Sequence, residues 1–177
     1  MQNGHVFSLF FFAKIAAFHC GRQYFIESLY LQKKAKVIEY LSLPSGLRAS
    51  ALTATITNIV FKRGSDIVHL SFNFVSGDAL LELNKRHLAH EYETDILTFD
   101  YGTPNKIEAE VFISTKATEE APIRFSETTE NESIRLIAHG LYHCLGYTDK
   151  TEEEKVQMRI LENEFIARFH VKQKKHV

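Results

Sequence analysis

Two periodicities divide the chain. Asp66–Ser76 (DIVHLSFNFVS) alternates apolar with polar residues, so Val68, Leu70, Phe72 and Phe74 share one face of a predicted strand with one buried side. Lys36–Pro44 (KVIEYLSLP) predicts a first strand, closed by Pro44 and the Ser45–Gly46 turn signal. TDILTFDYG (Thr94–Gly102) and IEAEVFIS (Ile107–Ser114) predict two more, and Gly102–Asn105 between them reads as the turn of a hairpin. Elsewhere the apolar spacing changes to three and four. Leu52, Ile56, Ile59 and Val60 predict a helix from Leu47 to Lys62, stopped by Gly64. Leu80, Leu81 and Leu83 predict a second, capped by Ser76 or Asp78. Ser114–Glu120 predicts a short helix. Ile134, Ile137, Ala138 and Leu141 carry another from Ser126 to Leu145, where Gly146 stops it. Thr151–Glu154 has capping-box spacing and opens a last helix, whose stripe of Met158, Leu161, Phe165 and Phe169 predicts core packing and nothing more. Elements in this order predict an α+β fold, a small mixed sheet packed against several helices.

At 177 residues the chain is long enough to bury a core within one domain. The formal net charge of −1 gives no global attraction to nucleic acid, so a local patch would have to hold any such partner. The two cysteines, Cys20 and Cys144, make neither a disulfide framework nor a four-cysteine zinc site, which favours a reducing, cytoplasmic setting. No apolar run is long enough to span a bilayer. Val6–Cys20 is apolar but interrupted by Lys14, has no basic residue before it and shows no clear cleavage pattern. With the composition change at Gln32–Lys36, residues 1–35 read as an N-terminal extension and residues 36–177 as the main domain.

The chemistry concentrates in RLIAHGLYHCLGYTDK (Arg135–Lys150). Residues four apart on a helix are offset by about 40° and rise about 6 Å, so His139 and His143 aim at one point. Gly146 lets the chain turn back and bring Asp149 towards the same point. Two imidazoles and one carboxylate make a three-ligand divalent site with an open position, the pattern of catalytic more than structural zinc. Cys144 lies about 100° round the helix and reads as a small core residue. The spacing is that of metzincin peptidases, but the residue after the first histidine, where a peptidase needs glutamate as its base, is Gly140.

HGLYHCLGYTDK resembles the HGxLHLxGYDH signature of the YbeY family of rRNA maturation factors. TDILTFD (Thr94–Asp100) resembles the family's TDVLSFP strand, and LLELNKRHL and EAEVFIS resemble its flanking segments. The resemblance covers about Lys36 to the C-terminus. It implies a metal-dependent, single-strand-directed endoribonuclease, with one zinc per chain, acting in 16S rRNA 3′-end maturation and ribosome quality control. Its partners would be single-stranded RNA or rRNA and the ribosome or its small subunit, with neither DNA nor membrane. The metal ligands implied are His139, His143 and Asp149. Asp149 stands where the family normally has histidine, and Leu88 where it has arginine, with Arg86, His87 or His90 as substitutes. Glu110 keeps the carboxylate of the family's Gly-Asp pair, here Ala109-Glu110. Glu110 and Arg86 are the candidate catalytic residues, and Asp95 and Asp100 further carboxylates for proton transfer. Lys85, Arg86, His87 and the basic segment Arg168–His176 are candidates for holding phosphate. Tyr92, Phe99 and Tyr101 are candidates for stacking bases. Two other readings stand beside this one, a metallopeptidase and a non-catalytic ribosome-associated factor.

Overall fold

Strand β2 (Asp66–Val75) is the longest strand and sits inside the sheet, between β1 (Val37–Leu41) and β4 (Lys106–Ser114). β1 and β4 both run parallel to it, and β3 (Ile96–Asp100) closes the far edge antiparallel to β4. The β3–β4 pair is the expected hairpin. These positions come from a computed structural model that describes residues 37–88, 92–125 and 128–174. The expected N-terminal extension, Cys20, His90, Ser126 and the last three residues lie outside the described residues. Among the described residues, five helices and one four-stranded mixed sheet make the fold α+β, as the pattern predicts.

The alternation in β2 holds from Leu70 onward and breaks before it. The register shifts between Ile67 and His69, so Val68 is an extra residue in the ladder and only half-buried. A bulge of one residue moves every earlier side chain to the other phase, and Ile67 takes the buried place expected of Val68. Leu70, Phe72 and Phe74 then line one face with Ala109, Val111 and Ile113 of β4. This inner face is almost wholly excluded from solvent. The opposite, outer face carries Ser71, Asn73, Glu108, Glu110 and Phe112. Ser71 and Asn73 are buried there too, and Asn73 satisfies its amide by donating to Ser71 Oγ at 3.1 Å and the Val111 carbonyl at 3.4 Å.

Helix α1 (Ala49–Lys62) buries Leu52, Ile56, Ile59 and Val60 in the core, and its Thr53 meets Tyr40 of β1 at 3.2 Å. Helix α2 (Gly77–Leu88) is capped by Ser76, whose Oγ accepts from Ala79 N; of the two expected caps it is the serine that serves. Helix α3 (Thr115–Phe125) runs five residues beyond the expected end at Glu120. Helix α4 (Thr129–Cys144) starts at Thr128, which accepts from Asn131 N at 3.0 Å, rather than at Ser126. Helix α5 (Glu152–Lys174) packs across α4 and α1 through Met158, Leu161, Phe165 and Phe169, all buried. Its capping box is reciprocal: Glu154 N donates to Thr151 Oγ1, and Thr151 N and Lys150 N donate to Glu154 Oε2.

Candidate metal centre

Gly140 sets how close α4 comes to the sheet. A Cβ there would stand 2.7 Å from Val111 Cγ1 and 3.2 Å from Ile96 Cδ1, so only glycine lets this helix lie flat on β4 and β3. With Gly140 turned to the sheet, the neighbouring turn presents His139 and His143 along the rim. The helix then ends in a Schellman motif. Gly146 adopts φ +88°, its N–H donates to the His143 carbonyl, and Tyr147 N donates to the Tyr142 carbonyl. The Tyr142 and Tyr147 rings close the motif edge to face at 5.7 Å, and the Arg63 guanidinium lies 5.3 Å from both centroids. Beyond Gly146 the chain doubles back, and the capping box of α5 holds Lys150 and Thr151, which fixes Asp149 next to them.

Three donor atoms converge as a result. His139 Nε2 and His143 Nε2 are 2.8 Å apart. Asp149 Oδ2 is 3.6 Å from the first and Oδ1 4.0 Å from the second. Among the described residues these three form a group whose ligand atoms all lie within 4.8 Å of one another. Donor atoms around a tetrahedral zinc stand about 3.3 Å apart, given bond lengths of about 2.0 Å. The observed separations fall on both sides of that value.

The opposite edges of the rings decide the protonation pattern. His143 Nδ1 faces the Tyr147 carbonyl at 2.9 Å, and a carbonyl only accepts, so Nδ1 carries the hydrogen. His139 Nδ1 faces Glu162 Oε1 at 2.8 Å, which fixes the same tautomer when that carboxylate is ionised. Both Nε2 atoms are then bare acceptors pointed at each other and at a carboxylate. Three acceptors so placed fit a cation between them. Burial, with His139 as the next cause, lowers the His143 pKa, while the Tyr147 bond and Asp149 oppose the shift. A neutral imidazole is the form that ligates. Side-chain exposures of 18% for His139, 29% for His143 and 42% for Asp149 leave one side of the group open to solvent.

The other expected site residues are placed elsewhere. Glu110 projects from the outer face, opposite Phe99 in the ladder, and accepts from Tyr101 OH at 3.1 Å. The sheet separates it from the histidines, because Val111, its neighbour in β4, is the residue that meets α4. Arg86 is exposed on α2 and pairs with Glu82 at 3.8 Å; α2 lies against the outer face, where His87 meets the Phe99 ring at 5.1 Å. Lys85 pairs with the same Glu82. Asp100 accepts from Gly102 N at 2.8 Å, a turn bond, and Asp95 lends its carbonyl to Ser114 N. Tyr92 and Tyr101 are exposed, while Phe99 packs edge-on against Phe112. The described part of the expected basic segment, residues 168–174, is helical: α5 continues to Lys174, with Arg168 on Glu164, His170 on Asn131 and Lys172 on the Ala54 carbonyl. Cys144 packs against the core outside the donor group, as expected.

Sequence reasoning passed over Glu162. It lies on the apolar stripe of α5, four residues after Met158 and three before Phe165, and is only 4% exposed. A carboxylate among core positions was the readable signal, because buried carboxylates are seldom without a partner.

Fold and cluster together define a class, an α+β protein with a half-open His-His-Asp group able to hold a divalent ion. The sequence profile of one family, described as endoribonuclease YbeY, matches residues 43–170. The chain belongs to that family. Relatives described as endoribonuclease YbeY from Flavobacterium johnsoniae and Cytophaga hutchinsonii are 32% and 39% identical over 123 and 119 residues. The first alignment covers 70% of this chain and 88% of the relative, the second 66% and 83%. A solution structure of a Thermotoga maritima protein matches with a TM-score of 0.59 at 23% identity, over 79% of this chain and 93% of that one. That likeness is one of fold. Among the described residues no helix is long and apolar enough to cross a membrane.

Proposed function

We propose that this chain is a zinc-dependent endoribonuclease that cuts single-stranded RNA, acting in the cytoplasm on the 3′ end of 16S rRNA and in ribosome quality control. The observation that carries the reading is the convergence of His139, His143 and Asp149 within 4.8 Å in a chain of the endoribonuclease YbeY family. Those three side chains would hold the ion. The chemistry a divalent cation supplies at such a site is polarisation of a phosphoryl oxygen and acidification of a water. His139 and His143 present bare Nε2 atoms because their Nδ1 hydrogens are already engaged. Asp149, the most exposed of the three, adds an oxygen donor and offsets one of the two positive charges. The open side leaves room for a single strand to bring a phosphate to the ion. Glu110 and Arg86 keep no part in the reaction under this reading, since the sheet stands between them and the donors.

A peptidase reading loses ground on the same geometry. The glutamate that a peptidase carries after its first histidine would fall at position 140, where even a Cβ meets Val111.

The test pairs metal content with cleavage. Wild-type protein should purify with, or take up, one zinc per chain and cut single-stranded RNA in preference to duplex. Asp149→Ala should lose both while its far-ultraviolet spectrum is unchanged. Undiminished cleavage by Asp149→Ala without bound metal would end this proposal.

A further inference from the structure

Building on the proposed zinc site, we infer that Glu162 is a positioning residue for His139, fixing which ring nitrogen is free to ligate. Its carboxylate is shared in a definite way. Oε1 meets His139 Nδ1 at 2.8 Å. Oε2 is taken by Arg135 at 3.3 Å and by Arg159 at 3.3 Å. Arg135 is itself buried and is held in turn by Glu132 at 3.4 Å and Asn163 at 3.0 Å. Two guanidiniums on one oxygen leave the other with a single task, accepting the Nδ1 hydrogen. That places the hydrogen on the far side of the ring from the donor group and points the bare Nε2 into it. Acceptors of this kind orient metal-binding histidines and raise their basicity.

The two histidines are served differently, and the difference makes the inference testable. His143 takes its acceptor from the backbone carbonyl of Tyr147, a product of the helix end that no side-chain substitution removes. His139 takes its acceptor from a side chain on another helix, 23 residues along the chain. Replacing Glu162 by glutamine keeps the volume and changes the logic. The amide oxygen would turn to the arginines, which only donate, and the amide nitrogen would face His139. A donor there requires Nδ1 to accept, so the hydrogen moves to Nε2 and blocks ligation.

The experiment reads imidazole nitrogen chemical shifts in metal-free protein and zinc affinity against a chromophoric chelator. Wild-type protein should show both rings with hydrogen on Nδ1. Glu162→Gln should switch His139 alone to the other tautomer, leave His143 as it was, and weaken zinc by about 10–100-fold. Glu162→Asp, which keeps the charge for Arg135 but shortens the reach, should retain the tautomer and fall between the two in affinity. Unchanged His139 signals with affinity within about twofold of wild type would overturn the inference. So would parallel shifts in both rings with a lowered melting temperature, the mark of a residue that only supports the scaffold. If Glu162→Gln fails to fold, Glu162→Asp decides: weaker zinc with unaltered His143 signals supports the role, and wild-type affinity refutes it. Wild-type protein that takes no zinc yet shows the His139 switch in the variant would sink the proposed function and leave this assignment standing.

Discussion

The two faces of the sheet show how one strand can serve two ends. On the inner face, Leu70, Phe72, Phe74, Ala109, Val111 and Ile113 are sealed under α1 and α4, and the histidines stand at the rim of that seal. On the outer face, Glu108 and Glu110 project from the same β4 strand, half-buried, beside the partly covered Phe112. Neighbours in β4 thus face opposite worlds. The inner face supplies rigidity, and the site inherits it through Gly140 and the closed end of α4. The outer face has charge and exposed aromatics, but nothing in it converges on the donor group. Sequence proximity to a motif is a poor guide to joining it; strand parity decides.

The sharpest way to break the contrast is at the carboxylates and histidines. His139→Ala should abolish zinc binding and lower RNA cleavage more than about 100-fold, beyond the 10–100-fold typical of residues behind the ligands. Glu110→Gln should leave cleavage close to wild type, because its carboxylate is bonded by Tyr101 on the outer face, away from the donor group. A loss from Glu110→Gln as deep as that from His139→Ala would mean that the outer face takes part in the reaction. For stability the expected ranking is equally lopsided. Phe72 is fully buried and stacks on Tyr40 at 5.8 Å, so Phe72→Ala should cost about 3–5 kcal/mol in chemical denaturation. Leu41, half-exposed at the outer edge, should cost about 0.5 kcal/mol or less on the same change.

What the sequence disclosed follows the reach of each signal. Helix spacing and capping residues act over a few positions, so α1, α5 and the Schellman end at Gly146 were readable, and with them the meeting of His139, His143 and Asp149. The bulge at Val68 was not, because it is defined by pairing with a strand about forty residues away. Glu162 was missed for a like reason. Its partner His139 is on another helix, and only the packing of α5 on α4 brings them together. Glu110 and Arg86 were drawn into the expected site by motif resemblance, which carries no information about which face a strand residue takes. The start of α4 at Thr128 rather than Ser126 is a smaller miss, where several polar residues offered caps of equal quality.

Gly140 links the two themes, since it is the point where site and inner face touch. Gly140→Ala should gain about 1 kcal/mol of helix propensity and lose about 1–3 kcal/mol to overpacking against Val111, a stiff β-branched side chain with no exposure. The expected net is a loss of about 1 kcal/mol by urea denaturation, with a larger relative fall in zinc affinity because α4 must lift from the sheet. Stability equal to or above wild type would show that the helix does not need this close approach.

The smallest effect expected belongs to Cys144, one residue from a proposed ligand and partly buried against the core. Burial first, and the nearby charge of Asp100 second, push its thiol pKa from 9.0 up to about 12. The folded chain therefore holds that proton more tightly than the unfolded chain does. The resulting stabilisation is complete below pH 9 and is lost as the pH rises through about 12, since ionisation then favours the unfolded state. At pH 8 the thiol should stay protonated and resist iodoacetamide in native protein while reacting readily in urea, with peptide mapping to separate Cys144 from Cys20. Fast native alkylation would mean that the end of α4 opens. The rigidity ascribed to the inner face would then stop short of the histidines, and the contrast between the faces would shrink to one of composition.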